Sequence, residues 1–421
     1  MITLRKEDNR LFYYQRWLAV GVVFFFFTFL DSYVVVQQIA TSPVGWILPY
    51  FFLAIPLFVL GKLKPPSLFI LLWCLGYLLI GFTSYVILPP SESALRVLID
   101  RSFSSVFVLV TACLLTNPQV QARTRSALFI ATLIGILNNC YQFINPSAFA
   151  GLYEGRASGL YMDPNDCSYA LVLGMIFTVG LFPQKLRIPW ILTVGFGIAL
   201  TLSRGGLLCW LVVILAMIWN RIITYKNSIL WLLGIGGILF IVVLLSSGDS
   251  LNNVAVIDEN AFERVSGIMT GETLNDPSAL ERKGIAAKAE DMFLENPIFG
   301  RGIGSTSDFS ITGFTVSTHN MYLLHAAEYG LFGLPILPLA LYASTRHSCG
   351  ESRKIANIFI LFILLASLFS HTVLDQRSYL TVFALMSAMS ASSQTYSNQF
   401  GNLKEARLSQ ARQVSTSLDE L

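Results

Sequence analysis

Charged residues are scarce in this chain of 421 residues: Asp, Glu, Lys and Arg make up only 13% of it, whereas hydrophobic residues make up 54%. A water-soluble domain carries about a quarter charged residues, which it needs to cover its surface. The scarcity of charge excludes soluble enzymes and disordered scaffolds, and it indicates an integral membrane protein. The net charge of +3 is too small to indicate a nucleic-acid partner.

Cysteine motifs are also lacking, and the same scarcity of charge excludes a disulfide-stapled secreted domain, so we interpret the cysteines as small apolar side chains among helices. The six cysteines include no C-x-x-C spacing, and the hydrophilic segment 248–318 contains none. His325 and Glu328 lie one helical turn apart and could pair or bind a cation. No third ligand follows at a suitable spacing, so we interpret them as a buried polar pair and predict no metal site.

Long apolar runs predict an all-α fold with about twelve transmembrane helices, since a helix needs about 20 apolar residues to cross a bilayer. The predicted spans are 17–36, 44–60, 67–88, 99–116, 127–144, 166–182, 188–203, 205–223, 229–247, 319–345, 355–373 and 379–393. The predicted organisation is therefore spans 1–9 in residues 1–247, a loop at 248–318, spans 10–12 in 319–393, and a tail at 394–421.

The distribution of basic residues predicts the orientation. If the N-terminus is cytoplasmic, most of the 28 Lys and Arg residues fall in inner loops or the tail, as the positive-inside rule requires. An even number of spans then places both termini in the cytoplasm and the loop 248–318 in the periplasm. Outside that loop, the outer basic residues are all arginine: Arg96, Arg101, Arg156, Arg204 and Arg377. For Arg96, Arg101 and Arg377 we favour pairing with outer acids such as Asp100 and Asp375.

The periplasmic loop is predicted to contain one helix. Ser278 and Glu281 have the spacing of a capping box, and Asn296-Pro297 should stop the helix, which gives bounds of about 278–294. Its apolar residues recur at roughly helical spacing, so the helix can lay one face on the membrane domain and cover a cavity there.

Two short motifs could carry chemistry near the outer ends of spans. Arg156 precedes Asp163-Pro164-Asn165, a turn into a helix whose N-terminal amides favour anions, although a simple helix cap would give the same pattern. In Ser203-Arg204-Gly205-Gly206, an arginine interrupts an apolar stretch of more than 30 residues. A charge in such a stretch marks a site unless its side chain snorkels to water at a tight turn.

A third motif closes the loop. Gly300-x-Gly302-x-Gly304 has no preceding strand and no Rossmann unit, so it predicts a flexible or tightly folded connection and not a dinucleotide site. His319 follows at the start of the tenth predicted span. A near-neutral imidazole there could act as a general base, or it could be incidental beside a helix cap at Ser317 or Thr318.

Taken in order, these motifs resemble those of the O-antigen ligase and polymerase superfamily. The matching elements within about 150–335 are Arg156-x-x-Gly159 with Pro164-Asn165, Ser203-Arg204-Gly205-Gly206, Asn296-Pro297 with Gly300-x-Gly302-x-Gly304, and His319-Asn320 with Glu328-Tyr329-Gly330. The resemblance implies a GT-C-like membrane glycosyltransferase of the bacterial inner membrane. Such enzymes move a glycan from undecaprenyl diphosphate to an acceptor on the periplasmic side, without a cofactor, a nucleotide sugar or an essential metal.

By position, the resemblance assigns the catalytic roles to Arg204, Arg282 and His319. The expected substrate-binding residues are Arg156, Asn165, Arg301 and Asn320. Arginines can neutralise a diphosphate leaving group, and a neutral imidazole can accept the proton of an attacking hydroxyl. The chain's modest length and lack of a large extra C-terminal domain favour an O-antigen ligase that acts on lipid A-core, and we expect a monomer surrounded by membrane lipid.

Two alternatives remain open at this stage. An O-antigen polymerase would use the same donor but would take a second lipid-linked repeat as its acceptor. A polytopic transporter or lipid flippase would use intramembrane polar residues such as Asp31 and His371 for proton coupling. The charged residues of the motifs above cluster at the predicted outer face of the membrane, which favours chemistry at that surface over transport.

Overall fold

The computed structural model describes residues 2–39, 42, 44–151, 155–223, 234, 236–237, 277–313 and 317–395. Over these residues the protein is all-helical and has no strand, which confirms the predicted all-α class. Nearly all of the predicted ninth span 229–247, the first part of the loop predicted to be periplasmic, and the tail beyond 395 lie outside the described residues.

Fifteen α-helices lie within the described residues. They are α1 Ile2–Val22, α2 Leu30–Val36, α3 Ile47–Val59, α4 Leu68–Ile87, α5 Ala94–Leu114, α6 Pro118–Ile144, α7 Pro164–Thr178, α8 Gln184–Ala199, α9 Arg204–Trp219, α10 Pro277–Glu295, α11 Phe309–Thr312, α12 Met321–Tyr329, α13 Ile336–Thr345, α14 Gly350–Ala366 and α15 at 377–395. Helix α10 lies where the capping pattern predicts the loop helix.

The surface of α4 shows how these helices meet a membrane. Five apolar side chains recur at three- and four-residue spacing on its outer face, and each is more than half exposed: Leu68, Leu72, Leu75, Leu79 and Phe82. Such a stripe is unfavourable in water but is suited to lipid. The chain is therefore a multi-pass membrane protein.

The number of membrane spans is only partly resolved by helix length. Among the described residues, α4, α5 and α6 are each long and apolar enough to cross a bilayer, and two bent helix pairs bring the number to five. Helices α3 and α9 are apolar but shorter. The total of twelve spans stays a prediction.

The predicted tenth span, 319–345, is not a continuous helix. Helices α12 and α13 belong to a pair bent by 98°. Gly330 and Gly333 lie in the bend, where a Cβ on Gly330 would come within 2.5 Å of the Ile298 carbonyl and one on Gly333 would lie 2.0 Å from the carbonyl oxygen of His325. These close backbone approaches, together with Pro335, turn the chain sharply.

Helix α7 forms the centre of the bundle. Almost all of its residues are buried, and it packs against α6, α8, α9 and α14. A helix that is apolar on every side is stable only when it is surrounded in this way. Its N-terminus is consequently held in a fixed place by four neighbours.

The glycine run after α10 is a tightly folded connection. Gly300, Gly302 and Gly304 all have left-handed φ angles, of 72°, 104° and 79°. The amide of Gly302 donates to the carbonyl of Glu328, and the hydroxyl of Ser93 donates to the carbonyl of Gly304. The end of the loop is thereby attached both to α12 and to the α4–α5 connection.

Candidate active site

A cavity of about 310 Å³ lies where α7 and α9 begin and where the chain enters α12. Its lining residues are Asp163, Asn165, Asp166, Tyr169, Arg204, Gly205, Leu208, Arg282, His319, Phe369, Ser370, His371 and Thr372. The structure therefore brings Arg204, Arg282 and His319, which are far apart in sequence, to the wall of one cavity. Asn165, a predicted substrate-binding residue, lies on the same wall.

Three helices start at or beside this cavity. The capping side chains are Asp163 for α7, Ser203 for α9 and Asn320 for α12, and each accepts a hydrogen bond from a backbone amide in the first turn of its helix. The N-terminus of a helix carries a partial positive charge. Three such ends near one cavity favour an anion within it.

The chain turns abruptly into the first two of these helices. Met162 and Leu202, which immediately precede the capping residues of α7 and α9, both have left-handed φ angles, of 62° and 50°. A side chain disfavours this conformation, and it is common where a site holds the backbone in a special geometry.

Arg204 is the first residue of α9, and the two glycines that follow it explain its position. A Cβ on Gly205 would lie 2.6 Å from the hydroxyl of Tyr169, and one on Gly206 would lie 2.2 Å from the hydroxyl of Ser168. Only glycine lets the start of α9 approach α7 this closely. This contact places the half-buried Arg204 on the cavity wall.

Arg156 lies behind the wall and does not line the cavity in the structure. Its Nε donates to the carbonyl oxygen of Thr201 at 3.0 Å, and its Nη2 donates to Oδ1 of Asn165 at 3.4 Å. The same Asn165 oxygen accepts a hydrogen bond of 2.8 Å from the hydroxyl of Ser203. Arg156 and Asn165 thus tie the start of α7 to the turn that precedes α9.

Arg282 reaches the cavity from helix α10. Ala289 and Met292 are buried against Ala327 of α12, so α10 lies with one face on the membrane domain. The exposed Arg282 lies near the beginning of α10 and lines the cavity. The predicted loop helix therefore supplies a charged group to the site.

Two other predicted substrate-binding residues do not line the cavity. Arg301 is 45% exposed and pairs with Glu295 at 3.2 Å. The side-chain oxygen of Asn320 accepts from two amides at the start of α12. The structure thus gives Asn320 a capping role and Arg301 a surface ion pair.

A second imidazole lies beside His319. The rings of His319 and His371 are 5.6 Å apart between centroids, in an edge-to-face arrangement. The predicted span 355–373 is too long, because α14 ends at Ala366 and His371 lies in the connection between α14 and α15. Burial lowers the pKa of His371 to about 4, and repulsion from Arg101 and from His319 when that residue is protonated acts in the same direction, so the His371 imidazole is neutral at pH 7.

A buried ion pair fixes the position of the loop end that precedes His319. Arg101 Nη1 donates to Glu328 at 2.6 Å, and the other carboxylate oxygen of Glu328 accepts from the hydroxyl of Thr306 at 2.8 Å. Thr306 in turn accepts from the hydroxyl of Ser317, two residues before His319, at 3.1 Å. Glu328 therefore holds the loop end through these contacts.

Of the predicted structural ion pairs, that of Arg101 with Asp375 is present but is not its shortest, and Arg377 has a partner that was not expected. The main partner of Arg101 is Glu328, with Asp375 more distant at 4.0 Å, and Arg377 pairs with Asp31 at 3.3 Å. His325 does not pair with Glu328. Its imidazole contacts the hydroxyl of Tyr77 instead.

Sequence reasoning assigned no site role to several residues of the wall. The carboxylate of Asp163 appeared only as part of a turn, Asp166 only as the first residue of a predicted span, and His371 only as an intramembrane polar residue. Ser370-His371-Thr372 interrupts an apolar region just as Ser203-Arg204-Gly205 does. The rule that a polar residue inside an apolar region marks a site, which singled out Arg204, applies equally to His371.

Comparison with known proteins finds one matching family model. Residues 189–337, roughly a third of the chain, match a family model described as O-Antigen ligase. The matched segment includes Arg204, Arg282 and His319. No protein of curated function matches the chain. This segment carries the three convergent side chains, and its match supports the resemblance to the O-antigen ligase and polymerase superfamily that the motifs predict.

Proposed function

We propose that the chain is an O-antigen ligase, which moves a polysaccharide from undecaprenyl diphosphate to lipid A-core. The observation that carries this proposal is the convergence of Arg204, Arg282 and His319 on one cavity. The family match supports an O-antigen ligase or polymerase-type glycosyltransferase that acts on lipid-linked glycans. The lipid A-core acceptor and the roles of individual residues are our inference.

The proposed site binds the diphosphate of the donor. Two guanidinium groups can each hold phosphate oxygens in two-point contact, and the nearby helix N-termini add positive potential. Negative charge on the diphosphate increases as the glycosidic bond breaks. Positively charged groups already in place stabilise that charge in the transition state, so the proposed reaction needs no metal ion.

His319 is the proposed general base. The acceptor hydroxyl oxygen attacks the anomeric carbon of the donor sugar, and the hydroxyl proton passes to the imidazole of His319. The bond between the anomeric carbon and the diphosphate oxygen breaks, and undecaprenyl diphosphate leaves with the bonding electrons. A neutral imidazole with a pKa near ~6.5 suits this proton transfer. Direct displacement inverts the configuration of the donor sugar.

The cavity has an apolar side as well as a charged one. Leu208 and Phe369 line it together with the charged residues. We place the first units of the isoprenoid chain against these side chains, with the diphosphate next to Arg204. In this proposal the cavity opens at the periplasmic face of the bacterial inner membrane.

Reconstitution with purified substrates tests the proposal. We expect the wild-type protein to transfer glycan from undecaprenyl diphosphate to lipid A-core, and His319→Ala to lower kcat by about 100-fold or more, because general base catalysis contributes about 10²- to 10⁴-fold. His347→Ala is the matched control, since His347 packs against Phe69 and does not line the cavity. Undiminished transfer by His319→Ala would contradict the role of His319.

The choice of acceptor separates ligase from polymerase. Incubation of the donor with lipid A-core should give a lipid A-linked polysaccharide. Incubation with lipid-linked repeats alone should give no extension. Extension of lipid-linked repeats without transfer to lipid A-core would instead identify a polymerase.

A further inference from the structure

His371 has no role in the reaction proposed above, yet it lies beside the group that performs it. Its ring packs edge-to-face against His319, and both residues line the cavity. The Nδ1 atom of His371 is buried and has no hydrogen-bond partner among the described residues. A buried nitrogen without a partner is costly, and in a native structure it calls for an explanation.

The segment that carries His371 is held firmly on both sides. The amide of Met321 donates to the carbonyl of Ser367 at 2.9 Å, which joins the start of α12 to the end of α14. On the other side, Gln376 donates to Oδ2 of Asp166 at 3.0 Å. These contacts fix the backbone near both imidazoles, so the relation of the two rings is built into the fold.

We propose that His371 is a positioning residue for His319, and that its buried Nδ1 accepts a hydrogen bond from the His319 imidazolium that forms when the acceptor hydroxyl loses its proton. This inference rests on the proposed function. An imidazolium has two N–H donors: one carries the proton taken from the acceptor, and the other needs an acceptor of its own. The lone pair of a neutral imidazole can serve as that acceptor, as a carboxylate does for the base of a catalytic triad.

The charged residues around His319 and His371 explain why a neutral side chain is suitable at position 371. Asp163 and Asp166 face the cavity from α7, Arg204 from α9 and Arg282 from α10. Arg101 also raises the positive potential at His371. A carboxylate in the place of His371 would compete with the diphosphate for the guanidinium groups. A neutral imidazole orients His319 without changing the net charge of the cavity.

Two substitutions separate hydrogen bonding from packing. His371→Phe keeps an aromatic ring but removes both nitrogens, whereas His371→Gln keeps a hydrogen-bonding group in a smaller side chain. We expect His371→Phe to lower kcat at least about tenfold with little change in KM for the donor, and to alter the pH dependence of kcat. We expect His371→Gln to retain more activity than His371→Phe. His347→Phe controls for the loss of an imidazole elsewhere.

A measurement without substrate gives a second, independent readout. NMR of the protein with labelled histidine reports the pKa and the tautomer of His319. We expect both to change in His371→Phe and to stay as in the wild type in His347→Phe. This experiment also covers the case in which His371→Phe folds poorly, because His371→Gln can be compared with the wild type in the same way.

The outcomes separate this inference from the proposed function. If the wild type transfers glycan while both His371 variants match its kcat, its pH profile and the His319 pKa, His371 only fills space and the inference is overturned. If the wild type transfers no glycan but the His319 pKa depends on His371, the proposed function fails and the coupling of the two rings stands.

Discussion

A single side chain, Arg204, connects the sequence pattern to the site. An arginine inside an apolar stretch needs water, an anion or an ion-pair partner. The structure places Arg204 on the wall of the cavity, at the beginning of a helix where the partial charge has the same sign as its own. The helix dipole disfavours a cation at this end, and the cavity that Arg204 lines also contains the carboxylates of Asp163 and Asp166.

Substitution of Arg204 by lysine tests the importance of two-point phosphate contact. Lysine keeps the charge but loses the planar fork. We expect Arg204→Lys to lower kcat/KM about 10- to 100-fold, since a hydrogen bond to a charged group contributes about 1.5–3 kcal/mol. Steady-state kinetics with the lipid-linked donor measure this change. Arg96→Lys, at an exposed position outside the cavity lining, is the control, and equal activity of the two variants would show that charge alone suffices.

The role of a residue was predictable where its neighbours in the sequence indicate it. The role was less predictable where it depends on contacts with residues from distant segments. The apolar surroundings of Arg204 are visible in the sequence. The contacts of Arg156 with Thr201 and Asn165, and the nearness of His371 to His319, arise only when separate helices meet. A sequence pattern predicts that an arginine will have a partner, but not which one.

At the scale of secondary-structure elements, the close contact between α7 and α9 organises the site. Gly206 lies where any side chain would collide with Ser168, and Ser203 caps the same turn with its hydroxyl. These two residues fix the angle at which the chain enters α9. The direction of Arg204 depends on that angle.

The addition of a single methyl group at Gly206 should therefore disrupt the site. We expect Gly206→Ala to destabilise the protein by about 1–3 kcal/mol, as other overpacked substitutions do, and to reduce glycan transfer. Gly76→Ala is the matched control, because its added Cβ would have no neighbour within 4 Å and alanine favours the helical conformation by about 1 kcal/mol. Thermal unfolding in detergent measures both effects. Equal melting temperatures for the two variants would contradict the role of this contact.

The existence of helices was easier to predict than their interruptions. Apolar runs gave the positions of most described helices, since length and composition determine which segments can cross a bilayer. The 98° bend between α12 and α13 did not follow from that pattern. Transmembrane helices tolerate glycine and proline, so Gly330, Gly333 and Pro335 do not by themselves predict a break. The backbone contacts of Gly330 with Ile298 that accompany it are visible only in three dimensions.

Across the described helices as a whole, the bundle presents a lipid-facing surface and a small cavity lined by charged residues, which we call the chamber. The charged and polar groups of the chamber come from α7, α9, α10 and the connections before α12 and α15. Two of these contributors, Arg204 and Arg282, lie on opposite sides of residues 248–276 in sequence. The fold must therefore be complete before the chamber exists, and no isolated segment of the chain contains it.

The volume of the chamber sets what it can recognise. About 310 Å³ is near the lower end of the range for ligand pockets. A diphosphate and the sugar attached to it would occupy such a space. The remaining repeats of a polysaccharide must extend beyond it.

This size predicts how the length of the donor affects transfer. We expect donors with few and with many repeats to be transferred with similar kcat/KM values, because in this proposal the additional repeats extend beyond the cavity lining. Gel analysis of products made from a mixture of donor lengths checks this. A strong preference for one length would reveal recognition outside the chamber.

A chamber of this size binds the reacting end of the donor and does not select the length of the glycan. The enzymes that assemble the glycan on its lipid carrier would then determine the distribution of glycan lengths on the product. The ligation step would leave that distribution unchanged.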